Sequence, residues 1–420
     1  MSQAAPSPRL PRPNIVLAML LLVYVFNFVD RQILAILAVP IQRDLQLSDG
    51  QMGLLGGVAF AVLYSTLGVP LAWLADRTSR SWVITVSLAL WSGFTAACAL
   101  AQGFWHIFLA RLGVGIGEAG GVAPSYALIA DYFPAERRAF ALSIYSLGIP
   151  LGSATGVLAG GYIAAMVDWR AAFVVVGLAG LLIAPLFKWV VRDVPKPAMA
   201  EQGPTVRLSE IAGTLARKPS FWLLSFGAAS SSMLGYGIAF WLPSLLQRSF
   251  ALDLVQVSHF IGALLILGGV AGMLLGGWLG DRLGSRDRAY LAYLPAGAFV
   301  IGVPLFAAGI YSSDAWFAFL LFLVPQAMAY VWLGPVLSAV QLLVVPAHRS
   351  TASALFLLIN NLIGLGGGIY ALGALSQALA PTYGQDALRY SMLYSLALYL
   401  VSALLMLLAA PRLRKECLPA

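Results

Sequence analysis

Long runs of apolar residues, separated by short polar segments, recur along the whole chain. Many runs reach the roughly 20 residues that an α-helix needs to cross a bilayer. Apolar residues are continuous within these runs, whereas strands of a membrane barrel would alternate apolar and polar positions. The pattern therefore predicts an all-α membrane protein.

We predict twelve spanning helices joined mostly by very short connections, which makes consecutive helices antiparallel neighbours. The first run is too long for a signal-peptide core, so we expect it to be retained as a span. The predicted spans are residues 14–39, 51–75, 82–101, 105–131, 139–166, 170–191, 220–247, 256–280, 288–311, 315–344, 350–379 and 388–410.

The long connection, residues 192–219, contains Pro195, Pro197 and Pro204. It divides the chain into two predicted six-helix bundles, 14–191 and 220–410, with tails 1–13 and 411–420. Its segment RLSEIAGTLARK has an amphipathic pattern. That segment is either a short helix docked on the membrane surface or a solvated loop.

Composition and charge fit this architecture. The chain has 420 residues, 60% hydrophobic and 10% charged, against about 25% charged in soluble domains. Of its 25 Lys and Arg residues, nineteen fall on the side of the termini, four on the other side and two inside spans. The positive-inside rule makes the first side cytoplasmic. We expect an integral protein of the inner (plasma) membrane with both termini in the cytoplasm. Basic residues lie between apolar runs rather than on one face, so nucleic acid is not the expected partner.

The two cysteines, Cys98 and Cys417, should lie at different depths, so we expect no disulfide between them.

A short motif occurs twice. Asp76–Arg77 in AWLADRTSR follows the second span, and Asp281–Arg282 in GWLGDRLGSR follows the eighth, 205 residues later. This spacing indicates an internal duplication. Duplicated helical bundles commonly form transporters that bind substrate where the repeats meet.

Four charged residues fall inside spans. Asp30 and Arg31 lie in the first, and Arg111 and Glu118 share one face of the fourth, seven residues apart. At 1.5 Å per residue, Asp30 lies roughly 14 Å from the outer end of its helix, between the depths of Arg111, roughly 9 Å, and Glu118, roughly 20 Å. We predict that the four form one cluster without net charge, since buried charges in membranes are paired or hydrated. The alternative is a fixed ion pair that only sets helix register.

This cluster is the candidate binding and switching site. Protonation of a carboxylate would release its arginine partner, which could then hold an anionic substrate or open a gate. The histidines His106, His259 and His348 all lie near span ends. If a proton is carried, Asp30 or Glu118 must carry it, with Arg31 and Arg111 as partners.

The duplicated motif resembles the signature of the major facilitator superfamily, although Ala72 and Ser79 replace glycines that the family favours. Over residues 26–178 the segments FVDRQIL, LSDGQMGLLGG, LYSTLGVPLAWLADR, GIGEAG, DYFPAERR and DWRAAFVVVG resemble its spinster-like branch. The resemblance implies two pseudo-symmetric six-helix bundles and alternating access. It also implies a cytoplasmic gate formed by Asp76, Arg77, Arg80, Asp131, Asp281 and Arg282.

The same resemblance implies a proton-coupled transporter of an amphiphilic anion such as a lysophospholipid or a sphingosine-1-phosphate-like molecule. A small organic anion or drug is the alternative substrate, and a non-transporting membrane sensor is the alternative of another class. No catalytic or metal-binding pattern is evident, so we expect no enzyme, no cofactor and no metal. The expected partners are the bilayer, the substrate and protons, with the protein a monomer.

Polar and aromatic residues in the second half are candidates for lining the cavity, because its spans hold almost no charge. For the aromatics the alternative is contact with lipid or packing between helices. For the two asparagines it is hydrogen bonding between helices. The candidates are Tyr236, Phe240, Trp241, Tyr330, Trp332, Phe356, Asn360 and Asn361.

Overall fold

The computed structural model describes residues 11–194, 208–345 and 348–417, and every regular element in these ranges is helical. Residues 1–10, 195–207 and 418–420 lie outside the described residues, and with them most of the N-terminal tail, the proline-containing part of the linker and the end of the C-terminal tail. The spanning helices are α1 (Pro13–Ile36 and Ala38–Leu45), α2 (Asp49–Gly56 and Val58–Arg77), α3 (Arg80–Cys98), α4 (Phe104–Glu118 and Val122–Tyr132), α5 (Ala135–Ser146 and Gly148–Met166), α6 (Trp169–Val190), α7 (Pro219–Ser249), α8 (Leu254–Leu264, the π-helical Leu265–Gly269, and Val270–Gly284), α9 (Tyr290–Tyr311), α10 (Ala315–Val331 and Leu333–Leu342), α11 (Arg349–Asn361, the π-helical Leu362–Gly367, and Gly368–Tyr383) and α12 (Ala387–Ser395 and Ala397–Glu416).

Hydropathy and length alone pick out 11 stretches that could cross a membrane in the described chain. The last of them, Thr351–Glu416, has 66 residues and is far too long for one crossing of about 20 residues. It contains both α11 and α12, which turn back on each other at Gly384, whose φ is 54°. That left-handed backbone conformation favours glycine. The twelve-helix prediction is therefore confirmed.

The twelve helices form two bundles, α1–α6 and α7–α12. In the first, α1 packs along α5 and α3 along α6; in the second, α7 packs along α12 and α9 along α10. The amphipathic part of the linker forms a short helix, Leu208–Ala216, whose Ile211 and Leu215 are buried. This linker helix packs on the second bundle, and the Trp222 indole of α7 donates a hydrogen bond to the Ala216 carbonyl at 3.1 Å.

The duplication is visible in backbone detail. Gln46 and Ala251, the non-glycine residues with positive φ in the described chain, have φ of 54° and 53° and are 205 residues apart. Each precedes a helix that begins with a reciprocal capping box. The boxes are Ser48 with Gln51 and Asp253 with Gln256, again 205 residues apart. The α1–α2 and α7–α8 connections are thus structural equivalents.

We call the face that carries Pro13 and Glu416 the terminal side and the opposite face the far side. The halves pack against each other mainly in the far half of the molecule, where α2 meets α11 and α5 meets α8. Glycines permit this approach: a Cβ on Gly57 would lie 2.9 Å from the Gly366 carbonyl oxygen, and one on Gly53 3.0 Å from that of Ile369. The two halves are therefore closed together at the far side.

Candidate functional site

The GVGIGE segment of α4 allows that helix to pack closely on its neighbours. A Cβ on Gly115 would lie 2.7 Å from the Phe60 carbonyl oxygen of α2, and one on Gly117 2.5 Å from the Trp91 backbone nitrogen of α3. Only glycine allows such a close approach of backbones. This packing seats Glu118 inside the first bundle, where its side chain has 0% exposure.

Arg31 of α1 pairs with Glu118. Its Nε donates to Glu118 Oε2 at 2.9 Å, and its side chain remains 14% exposed. The other carboxylate oxygen, Oε1, is buried and has no hydrogen-bond partner among the described residues. Arg31 also interacts with Tyr236 of the second half. It therefore lies at the edge of the first bundle and faces the space between the two halves, which we call the central space, with its counter-ion behind it.

Aromatic rings surround the guanidinium of Arg31. Its Cζ lies 5.1 Å from the ring centre of Phe28, 4.8 Å from that of Phe60 and 4.7 Å from that of Tyr64. A cation over ring faces is stabilised by the ring quadrupole, more so where water is scarce. Arg31 with these three rings forms what we call the arginine cage. The sequence analysis missed its aromatic members.

Asp30 and Arg111 lie deeper than Arg31. Asp30 is 1% exposed and Arg111 2%. Arg111 Nη1 donates a long hydrogen bond, 3.5 Å, to the backbone carbonyl of Asp30 rather than to its carboxylate. The structure thus brings all four predicted charges together, but with different contacts: one ion pair next to the central space, and one buried carboxyl behind it.

The second half contributes Tyr236 and Tyr330 to the same region. Tyr236 of α7 is close enough to Arg31 and to Tyr64 to interact with them electrostatically, and Tyr330 of α10 interacts in the same way with Tyr236. Both side chains are partly exposed. Tyr236 also stands 205 residues after Arg31, so the duplicated position carries a cation in one half and a phenol in the other.

The other aromatic and amide candidates occupy varied positions. The Trp241 indole donates to the Ile369 carbonyl at 2.9 Å, and Asn360 Oδ1 accepts from Ser232 at 2.9 Å. Both contacts join α7 to α11 inside the second bundle. Phe240 packs on Gly56 between the halves. Phe356 is fully buried, and Trp332 and Asn361 are half-buried.

A polar network at the far side joins the halves and was not anticipated from the sequence. Arg248 of α7 donates to both carboxylate oxygens of Asp49, at 2.7 and 2.9 Å, and to Gln42 at 2.7 Å. Asp49 also accepts from Ser376 of α11 at 2.7 Å and from Gln42 at 2.8 Å. We call these four residues the far-side latch. Its charged members, Asp49 and Arg248, lie at helix ends, where charges are common, so sequence alone gave no signal.

The predicted gate residues lie at the terminal side. Arg80 and Asp131 form an ion pair between the start of α3 and the end of α4. Arg77 stacks on Trp73 at 4.0 Å and Arg282 on Trp278 at 5.3 Å, so the same contact recurs in both repeats. Asp281 lines a cavity of about 280 Å³ with Arg288 and Arg349. The side chain of Asp76 lies outside the described residues.

Asp193, just beyond α6, ties that helix to the start of α3. It accepts from the Ser81 backbone N–H at 3.0 Å and the Ser81 hydroxyl at 2.8 Å, and also from the Ser79 hydroxyl. Partial burial alone would raise the pKa of Asp193. The hydrogen bonds from Ser79 and Ser81, with nearby Lys188, outweigh that and lower its pKa.

This twelve-helix, two-bundle fold with charges at its centre is that of a membrane transporter. The family model described as Major Facilitator Superfamily matches residues 20–368, and the chain belongs to that family. It is 34% identical over 405 residues to an MFS-type efflux pump of Mycolicibacterium smegmatis, covering 94% of this chain and 92% of that protein. It is 30% identical over 393 residues to protein spinster homolog 1 of Homo sapiens, covering 88% and 74%.

Solved structures agree with these relatives. The chain superposes with a TM-score of 0.89 and 28% identity on the crystal structure of a bacterial homolog to the human lysosomal transporter Spinster, in an inward-facing and unoccupied conformation. The match covers 97% of this chain and 98% of that one. A nucleoside transporter at 14% identity, TM-score 0.71, shares the fold. The predicted superfamily membership and spinster-like resemblance are confirmed.

Proposed function

We propose that this protein is a secondary active transporter, coupled to protons, that moves an amphiphilic anion such as a lysophospholipid or a sphingosine-1-phosphate-like molecule by alternating access. The arginine cage carries the proposal. A single cation within a wall of rings suits a ligand with one anionic group and adjoining apolar surface. The spinster-like resemblance of the sequence implies the same class of substrate, and the chain is similar to protein spinster homolog 1 of Homo sapiens.

The Arg31–Glu118 pair supplies the proposed coupling. While Glu118 is ionised, it competes with an anionic substrate for Arg31. A proton on Glu118 removes that competitor and leaves Arg31 to the substrate. Asp30, buried without an ion-pair partner within the described residues, is the second carboxyl that could hold a proton, because an unpaired buried charge is strongly disfavoured.

The terminal side is cytoplasmic in this proposal, because it carries nineteen of 25 Lys and Arg residues. The closed far side then corresponds to an inward-facing state, consistent with the inward-facing structures that the chain resembles. Breaking the far-side latch, and bringing together the terminal-side ends of the halves around Asp76, Arg77, Arg80, Asp131, Asp281 and Arg282, would produce the outward-facing state.

A second substrate class is a small organic anion or drug, favoured by the similarity to an efflux pump. Sealed proteoliposomes preloaded with candidate compounds distinguish the two in a counterflow assay. Uptake of radiolabelled lysophospholipid into vesicles preloaded with lysophospholipid, with no uptake of radiolabelled aromatic acid into vesicles preloaded with that acid, supports the lipid. Uptake of the aromatic acid alone supports the organic anion, and no movement of either compound under any gradient would favour the sensor.

Asp30→Asn and Glu118→Gln test the proton sites in the same vesicles. We expect each to impair transport driven by a pH gradient while the protein still folds. Asp314→Asn and Glu210→Gln are matched controls at exposed positions; Asp314 caps the start of α10, and asparagine caps a helix equally well. Wild-type transport by both buried variants would refute the proton sites.

A further inference from the structure

The buried carboxyl of Asp30 faces a row of polar groups on α3. Trp91 and Thr95 are four residues apart and so share one face of that helix. Both lie against Asp30, and both are fully buried. The indole Nε1 of Trp91 and the hydroxyl of Thr95 have no hydrogen-bond partner among the described residues, and neither does Asp30 Oδ1.

Thr95 lacks the hydrogen bond to the preceding helical turn that other hydroxyls in the described chain make. Helical hydroxyls commonly donate to the carbonyl one turn earlier, and Thr66, Thr85 and Ser125 do so at 2.7 Å. Thr95 makes no such bond in the described chain. Its donor therefore remains available to a neighbouring group, and the Asp30 carboxyl of α1 lies next to it.

Buried polar groups in proteins are nearly always hydrogen-bonded, so unpaired ones need an explanation. Among the described residues, two donors without acceptors lie next to a carboxyl whose Oδ1 accepts no hydrogen bond. Ionisation of the carboxyl would strengthen it as an acceptor and favour hydrogen bonds from both donors. We propose that Thr95 and Trp91 are positioning residues that hydrogen-bond the ionised carboxylate of Asp30 during the transport cycle. This inference rests on the proposed role of Asp30 as a proton site.

Other groups around Asp30 do not replace these donors. Glu118 and Arg111 face it from α4, and Cys98 faces it from α3. Glu118 repels a second carboxylate, while Arg111 bonds to the backbone carbonyl of Asp30 in this state. The α3 donors are thus the neutral groups placed to stabilise the charged form without adding charge to the bundle.

Infrared titration of the purified full-length protein tests this directly. The carbonyl band of protonated Asp30 is assigned by its loss in Asp30→Asn. If Thr95→Val and Trp91→Phe each remove a donor to the ionised form, the band should persist to higher pH, by about one unit for each. Thr95→Ser, which keeps the hydroxyl, should restore the wild-type midpoint. Thr85→Val on the same helix is the matched control, because its hydroxyl bonds to Ser81 instead.

Unchanged midpoints in Thr95→Val and Trp91→Phe would overturn the proposal. If one variant does not fold, the other decides alone. The pH profile of transport in proteoliposomes gives an independent reading, and it should move in the same direction. A shifted band with pH-independent wild-type transport would refute proton coupling but leave the positioning role intact, so the two failures are distinguishable.

Discussion

Arg31 and Glu118, from helices α1 and α4, form a 2.9 Å ion pair in which the acid is sealed from solvent and the base is not. The asymmetry matters because only Arg31 can reach a ligand in the central space. Glu118 can act on that ligand only through its hold on Arg31. The predictions below begin with this pair and move outward to the two faces of the protein.

Glu118→Gln should increase the affinity for an anionic substrate and make that affinity independent of pH, because glutamine imitates the protonated acid. Arg31→Gln should weaken binding by about ten- to a hundredfold, as expected for loss of a charge-assisted contact. Binding to detergent-solubilised protein at two pH values measures both. Glu210→Gln on the linker helix is the control, and a pH-dependent affinity in Glu118→Gln would contradict the competition.

Asp49→Asn should loosen the far-side latch, because Arg248 loses its charge partner while the network keeps its shape. Hydrogen bonds to charged groups contribute about 1.5–3 kcal/mol, so the far-open population should grow about ten- to a hundredfold. Distances between spin labels at exposed far-side positions Leu100 and Ser313 report the change. Arg248→Gln should have a similar effect, and the double variant should add little to either, whereas full additivity would mean that the two residues act independently.

Gly57→Ala should also destabilise the far-closed state, for a steric reason. The added methyl would lie 2.9 Å from the Gly366 carbonyl oxygen, a backbone atom of α11 that can move only with its helix. The same label pair should report a longer distance. Gly93→Ala is the matched control, because a Cβ there meets nothing within 4 Å. Equal distances in the two variants would show that the halves do not depend on this contact.

Asp193→Asn should lower the melting temperature at pH 7 by a few degrees, because the amide binds Ser79 and Ser81 less well than a carboxylate. A carboxyl whose pKa is lower in the folded chain stabilises the fold above its unfolded value, about 3.9, and loses this effect as pH falls through the folded value. The difference from wild type should therefore vanish at strongly acidic pH. A difference in melting temperature of the same size at both pH values would mean that the effect comes from packing. Asp168→Asn, which keeps its N-cap role, is the control.

How far the sequence predicted the site depends on the kind of interaction. Charges inside apolar runs are conspicuous, so Asp30, Arg31, Arg111 and Glu118 could be placed at similar depths. The resemblance, which implies that α1 and α4 both line the cavity, then placed them together. Which acid pairs with which arginine could not be predicted, because adjacent residues on a helix point about 100° apart. That rotation sends Arg31 to Glu118 and the central space, and Asp30 to α3.

Aromatic and helix-end residues were harder to interpret. Phe60 and Tyr64 are two of many aromatics in spans, and nothing local separates a ring at a cation from one in lipid. The same limit applied to Trp241, a candidate for lining the cavity. In the structure it is buried, and its indole donates a hydrogen bond to α11. Asp49 and Arg248 resemble ordinary helix-end charges until tertiary packing brings them together.

The far-side latch also records how the duplicated halves diverged. Gln42 and Arg43 recur as Gln247 and Arg248, but the position equivalent to Asp49 holds Leu254. A perfectly twofold ancestor would have had the acid in both copies or in neither. Among the described residues, one ion pair joins the halves where symmetry would allow two. A single substitution at Asp49 therefore removes this ionic closure, with no duplicate in the described part of the chain to compensate.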